Sequence, residues 1–229
     1  MIKINNRIIS EKTKPYIIAE LSANHNGSFK NAKNLINKIA KSGVDAVKLQ
    51  TFLPKEMTLN SKKKDFIIKD KKSLWKGYDL YSLYKKAQTN FEWHKSLFRE
   101  AKKNKLTIFS SVFDVNSINF LEKLNVPAYK IASFENNHYP LIQKVLKQKK
   151  PTLISLGATT KQEFEDLEKI LSKSKNKKHI LMKCTSIYPT PNSELNLKGI
   201  LTIRKKGYLA GLSDHTKSFT ASLCAVALG

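Results

Sequence analysis
The 229-residue chain carries 41% hydrophobic and 26% charged residues, the balance of a globular protein with a sizeable core. It has no run of about 18 apolar residues, and its start, MIKINNRIIS, lacks an apolar leader; this argues against a membrane span and for the cytoplasm. Its 42 basic against 18 acidic residues give +24, yet only Arg7, Arg99 and Arg204 are arginines and the lysines are scattered, which sets nucleic acid aside in favour of a small anionic substrate.

Taken in chain order, short apolar runs alternate with longer amphipathic stretches. The first predicted strand, residues 16–21, carries Glu20 near its end and opens into the polar turn Ser22-Ala23-Asn24-His25-Asn26-Gly27. A bland turn needs Gly and Asn, not an added Glu and His. A helix over 30–41 follows, then a strand over 46–51 with Lys48 and Gln50. The longest connection, 52–78, contains KKKDFIIKDKK, and one helix is predicted over 80–103. Strands over 107–112, 128–133, 152–156, 180–184 and 209–213 alternate with helices over 115–124, 140–148, 161–171 and 216–228. Cys184 and Cys224 have no metal or redox spacing and read as reduced core residues.

Alternation of this kind means parallel strands joined by crossover helices. Seven strands are one short of a (β/α)8 TIM barrel, so the predicted class is α/β, an incomplete barrel of about seven βα units with the eighth strand missing. The alternative, a doubly wound open sheet, calls for a G-x-G-x-x-G turn after the first strand, and none occurs. Polar residues collect at strand C-terminal ends: Glu20, Lys48 and Gln50, Ser110 and Ser111, Lys130 and Ser133, Ser155, Lys183 and Thr185, and Ser213-Asp214-His215. In a parallel barrel those ends build the active site, and lysines from three strands beside Glu20 and Glu135 read as such a site.

The segments IIAELSANHNGS, GVDAVKLQTF, VPAYKIASFE, KCTSIYPTP and GLSDHT resemble, in order, the signatures of the sialic acid synthase family. The resemblance runs from about residue 16 to 229. AELSANHNGS and LWKGYDLYSLYKKAQTNFEWH are more similar to the pseudaminic acid synthase branch. It implies condensation of phosphoenolpyruvate with an amino sugar, a 2,4-diacetamido-2,4,6-trideoxy hexose on this branch, to give a nine-carbon ulosonic acid. An N-acetylneuraminate or legionaminate synthase, or an inactive fragment of such an enzyme, stays open.

By the same resemblance, Lys48, Ser111, Lys130, Ser133, Ser155 and Ser213 bind phosphoenolpyruvate. A divalent metal, Mn²⁺ or Mg²⁺, is held by His215 and polarises the sugar aldehyde. Glu20 is the acid or base that handles protons, with Glu135 close behind. Asn24, His25, Tyr188 and Asp214 join the substrate contacts, with plain turn chemistry as the other reading of Asn24 and His25. The chain departs from the family at Ser155-Leu156-Gly157-Ala158, where Leu156 replaces a hydroxyl residue. It reads as a truncated synthase domain over 1–229 without the family's C-terminal antifreeze-like domain. The second metal histidine and the partner's arginine of a family-type homodimer then lie beyond residue 229. The expectation that follows is a chain that alone is poorly soluble and inactive.

Overall fold
The computed structural model describes residues 2–71, 73 and 75–229. Leu74, which opens the LWKG segment, lies outside the described residues. The fold falls into two compact units, residues 17–126 and residues 1–16 with 127–229.

The chain begins with a hairpin absent from the sequence reading, β1 (Ile2–Ile4) and β2 (Arg7–Ile9), paired antiparallel with Ile4 opposite Arg7. Its two-residue link is Asn5-Asn6, and Asn5 takes the positive φ of 48° that such tight turns require.

In the unit of residues 17–126, β3 (Ile18–Glu20), β4 (Ala46–Thr51) and β5 (Thr107–Val112) are parallel, in the order β3-β4-β5. Helix α1 (Phe29–Lys41) crosses from β3 to β4. Ser28 caps it by accepting from the Asn31 amide, and Lys38 and Lys41 lie at its negative end. Its i, i+4 pair Ala32 and Ile36 is fully buried with Leu21, Val47, Leu49, Leu97 and Ile108. Each large aliphatic side chain so buried contributes roughly 1.5–3 kcal/mol.

Between β4 and β5 lie α2 (Pro54–Met57), α3 (Leu80–Ala87) and α4 (Phe91–Lys103). The single helix expected over 80–103 is therefore two. Asn90 breaks it, because its side chain accepts from the Glu92 amide and caps α4. Helix α5 (Val115–Lys123), capped by Asp114, follows β5.

In the other unit β6 (Tyr129–Ile131), β7 (Thr152–Ser155), β8 (His179–Cys184) and β9 (Leu209–Ser213) are parallel and hydrogen-bonded in that order. They alternate with α6 (Tyr139–Lys147), α7 (Lys161–Lys173), α8 (Gly199–Lys205) and α9 (Thr220–Ala227). Helix α8 was missed because its first residue is a glycine. Arg204 on α8 holds Glu11 after the hairpin at 3.2 Å.

Cys184 is buried as expected, but Cys224 is exposed. Helix α9 buries Ala221 and leaves Leu223 and Val226 exposed beside it, so the thiol has no core to enter. Among the described residues no helix is long and apolar enough to cross a membrane.

Candidate active site
Each unit carries a polar cluster around a buried lysine, built by the two-residue period of its strands. On β4, Lys48 and Gln50 share a face, opposite Phe109 and Ser111 of β5 in register. Lys48 Nζ donates to Ser111 Oγ at 3.1 Å and lies 3.3 Å from Glu20 Oε2, whose residue is its register partner on β3. Lys48 is 5% exposed, so its ammonium needs these partners. Ser110 and Thr51 face the other way. Thr51 Oγ1 bridges Ser110 Oγ at 2.6 Å and His94 Nε2 at 2.8 Å on α4. Burial holds His94 down at about 4, so that trio is neutral and structural.

In the turn after β3, the candidate contacts Asn24 and His25 both make hydrogen bonds within the turn itself. His25 is fully buried, edge-on to Trp93 at 5.5 Å, and its Nδ1 accepts from the Gly27 amide at 3.0 Å. It holds the turn together through Nδ1. Asn24 donates to the Leu21 carbonyl at 3.1 Å and lines a surface hollow with Asn31, Asn34 and Asn37 of α1.

The second cluster draws on four strands. Ser155 lies in register with Met182, and Cys184 with Ser213, so Ser155, Cys184 and Ser213 share a face with Lys130, whose neighbour is Leu153. Lys130 Nζ donates to Ser155 Oγ and, at 3.1 Å, to Ser213 Oγ; the two hydroxyls are 2.9 Å apart. Lys183, one residue before Cys184, points the other way. Its ammonium donates to the Cys184 carbonyl at 2.8 Å and Thr185 Oγ1 at 3.1 Å, and its stem lies against Gly199 of α8. It does not join Lys130.

The loops after these strands add the remaining groups. Ser133 Oγ accepts from the Gly157 amide at 3.2 Å. His215 Nδ1 donates to the Thr185 carbonyl at 2.9 Å, which puts its lone pair on Nε2, the arrangement a metal-binding imidazole uses. Cys184 Sγ lies 3.9 Å from that ring, and the Tyr188 ring covers it at 4.1 Å. Burial pushes the Cys184 thiol up, but His215, Ser133 and Lys130 outweigh it and hold the thiol below its ordinary value. Asp214 accepts from the Thr216 amide and the Ser222 hydroxyl, fixing the loop that carries His215. No three His, Cys, Asp or Glu side chains form a metal cage among the described residues, so His215 offers one ligand atom.

Glu135 stands in the turn Ser133–Glu135 after β6. Its Oε2 is buried with no hydrogen-bond partner among the described residues. Burial pushes it up to about 7, against its own backbone amide and Lys130, which both favour the carboxylate. The folded protein thus holds a proton that the unfolded chain releases near 4.5. Stability from this group is full below that pH and is lost as pH rises through 7. Glu135→Gln is expected to melt progressively higher than the parent as pH rises from about 4.5 to 8; a gap constant with pH would contradict this.

The family model described as the NeuB family matches residues 35–229. The chain is 46% identical over 217 residues to a pseudaminic acid synthase of Campylobacter jejuni, covering 94% of this chain and 63% of that protein. It is 44% identical over 216 residues to that of Helicobacter pylori, again 94% of this chain and 63% of the relative. This chain thus spans less than two thirds of either relative. Among solved structures, the N-acetylneuraminic acid (sialic acid) synthetase of Leptospira borgpetersenii superposes with a TM-score of 0.82 at 28% identity, over 93% of this chain and 70% of that one. With the seven alternating βα units among the described residues, that likeness gives the chain the (β/α)-barrel class.

Proposed function
Because this chain belongs to the NeuB family, we propose that it condenses phosphoenolpyruvate with an open-chain 2,4-diacetamido-2,4,6-trideoxy hexose, giving a nine-carbon ulosonic acid of the pseudaminic acid type and phosphate. The observation that carries the reading is Lys130, a buried cation between two hydroxyls from two other strands. An ammonium with converging hydroxyl donors suits a phosphate dianion. The identity to two pseudaminic acid synthases supports the branch.

In the reaction, C3 of phosphoenolpyruvate forms a bond to the sugar's aldehyde carbon, and the aldehyde oxygen takes up a proton. Water then adds at the cationic C2, loses a proton, and the C2–O bond breaks to release inorganic phosphate. Lys130, Ser155 and Ser213, with Ser133, bind the phosphate. Lys48, braced by Glu20 and Ser111, supplies a second cation for the substrate's anionic groups. Glu135, poised near neutrality, is the proton carrier. Tyr188, two-thirds exposed, offers its ring to the sugar. A divalent ion, Mn²⁺ or Mg²⁺, with His215 among its ligands would polarise the aldehyde when bound. The reaction is assigned to the cytoplasm and to a homodimer, as the family resemblance implies.

The test is phosphate release from phosphoenolpyruvate with a panel of amino sugars. The diacetamido-trideoxy hexose should support turnover about tenfold or more faster than N-acetylmannosamine, the scale of discrimination a few polar contacts give. Equal or reversed rates would move the protein to another branch. Chelation should stop turnover, Mn²⁺ should restore it, and His215→Ala should lose the restoration. Turnover unchanged by chelation would remove the metal from the account.

A further inference from the structure
One buried side chain that no role above uses ties the loop after β6 to the loop after β7. Asn136 is 3% exposed, and its amide nitrogen donates to the Ser155 carbonyl at 3.4 Å, the Gly157 carbonyl at 3.3 Å and Thr159 Oγ1. Two of these partners are carbonyls, which only accept, so the amide orientation is fixed by chemistry. The bonds fall on either side of Ala158, a non-glycine residue held at a φ of 52°. That conformation is uncommon for a residue with a Cβ and persists where its surroundings enforce it. The next residue along, Asn137, adds a bond to Glu163 in the first turn of α7 at 2.8 Å.

Gly157 is the other half of the knot. Its amide holds Ser133 Oγ and its carbonyl receives Asn136. A methyl group on its Cα would stand 2.4 Å from Ser186 Oγ, 2.7 Å from Ser133 Oγ and 3.1 Å from Cys184 Sγ. The two hydroxyl contacts are closer than a Cβ tolerates and the thiol contact is tight, so the absence of a side chain lets the ends of β6, β7 and β8 close on one backbone atom.

We propose that Asn136 and Gly157 are positioning residues: together they set the spacing at which the Ser133 and Ser155 hydroxyls meet the phosphate of phosphoenolpyruvate. Neither touches the reacting atoms. The role rests on the assignment of Lys130 and Ser155 to the phosphate made above. Asn136 fixes Ser155 through its own carbonyl, and Gly157 fixes Ser133 through its hydroxyl, so one loop geometry governs both.

The test is Asn136→Asp, which keeps size and shape but turns a carboxylate oxygen toward two carbonyls, and Gly157→Ala, which keeps every polar group and adds one methyl. In the full-length protein each variant should raise KM for phosphoenolpyruvate about tenfold or more, as small misplacements of binding groups do. KM for the sugar should stay within about twofold of the parent, a change too small to count as lost binding. Calorimetry with phosphoenolpyruvate alone should show the same loss without any sugar present. A folded variant of either kind with the parent's KM and affinity for phosphoenolpyruvate overturns the proposal. So does a loss of kcat alone with both KM values kept, which is what a merely structural role gives. A parent protein with no sugar-dependent phosphate release would instead sink the synthase reading, and the calorimetric comparison still decides the positioning role.

Discussion
Lys130→Met is expected to lower kcat/KM for phosphoenolpyruvate by about 100- to 1,000-fold while leaving the melting temperature unchanged or raised. Hydrogen bonds from a charged group are worth about 1.5–3 kcal/mol each. Two such bonds to phosphate lost together, each taken toward the lower end of that range, amount to about 3–4 kcal/mol, and each 1.4 kcal/mol is roughly tenfold in affinity or rate. Stability moves little or the other way because Lys130 is 5% exposed, its bonds to Ser155 and Ser213 are to neutral hydroxyls, and Glu135, whose carboxylate it favours, is already held up at about 7 by burial and takes up a proton when the cation is removed. Replacing a buried ionic group with an apolar side chain of similar volume is often neutral or stabilising, by about 1–4 kcal/mol. A buried lysine retained at that cost is there for its charge. Kinetics of the purified variant beside its melting curve check both halves. A variant that keeps phosphoenolpyruvate turnover, or that loses turnover only by unfolding, would remove Lys130 from the site.

Lys48→Met gives the second large effect, expected at about 10- to 100-fold in kcat/KM for phosphoenolpyruvate, since one charge-assisted contact is lost rather than two. Sugar KM should stay within about twofold, a change too small to count as lost binding. The stability cost is small because Glu20, the partner left behind, has 42% of its side chain exposed and is rehydrated by solvent. Ser111 keeps only a neutral hydroxyl to satisfy. An unchanged phosphoenolpyruvate KM and kcat would mean that the Lys48–Glu20–Ser111 group serves the sheet alone.

The strands were the most legible part of the sequence. Ala46–Thr51, Thr107–Val112 and Leu209–Ser213 have the expected bounds, because each is an apolar run closed by a change of pattern. The break at Asn90 was hidden because no Gly or Pro marks it and both helices carry similar amphipathic patterns. The hairpin of Ile2–Ile4 and Arg7–Ile9 was hidden by its brevity, although Ile-Lys-Ile-Asn-Asn carries the turn signal.

The site residues were legible as a set of strand ends, but not in their directions. Lys183 and Ser110 look like site residues in one dimension and face the helices in three, each one residue out of phase with Cys184 and Ser111. Applying the two-residue period along each strand separates them. Asn136 and Gly157 carry no sequence signal of their own, since an amide and a glycine in a loop read as turn chemistry until their partners are seen. His25 shows another side of the same limit: the sequence offers it as a substrate contact or a turn residue, and only the structure shows that it is fully buried with its Nδ1 bonded inside the turn.

The central claim is that phosphoenolpyruvate gives up its phosphate by C–O cleavage as its C3 carbon joins an amino sugar. The direct measurement uses phosphoenolpyruvate labelled with ¹⁸O at the bridging C2 oxygen, incubated with the full-length protein, Mn²⁺ and the 2,4-diacetamido-2,4,6-trideoxy hexose. The products are read by ³¹P NMR and mass spectrometry. The account predicts sugar-dependent release of phosphate that retains the label, together with a nine-carbon ulosonic acid without it. Label left in an organic product, or phosphate released at the same rate without sugar, would contradict it.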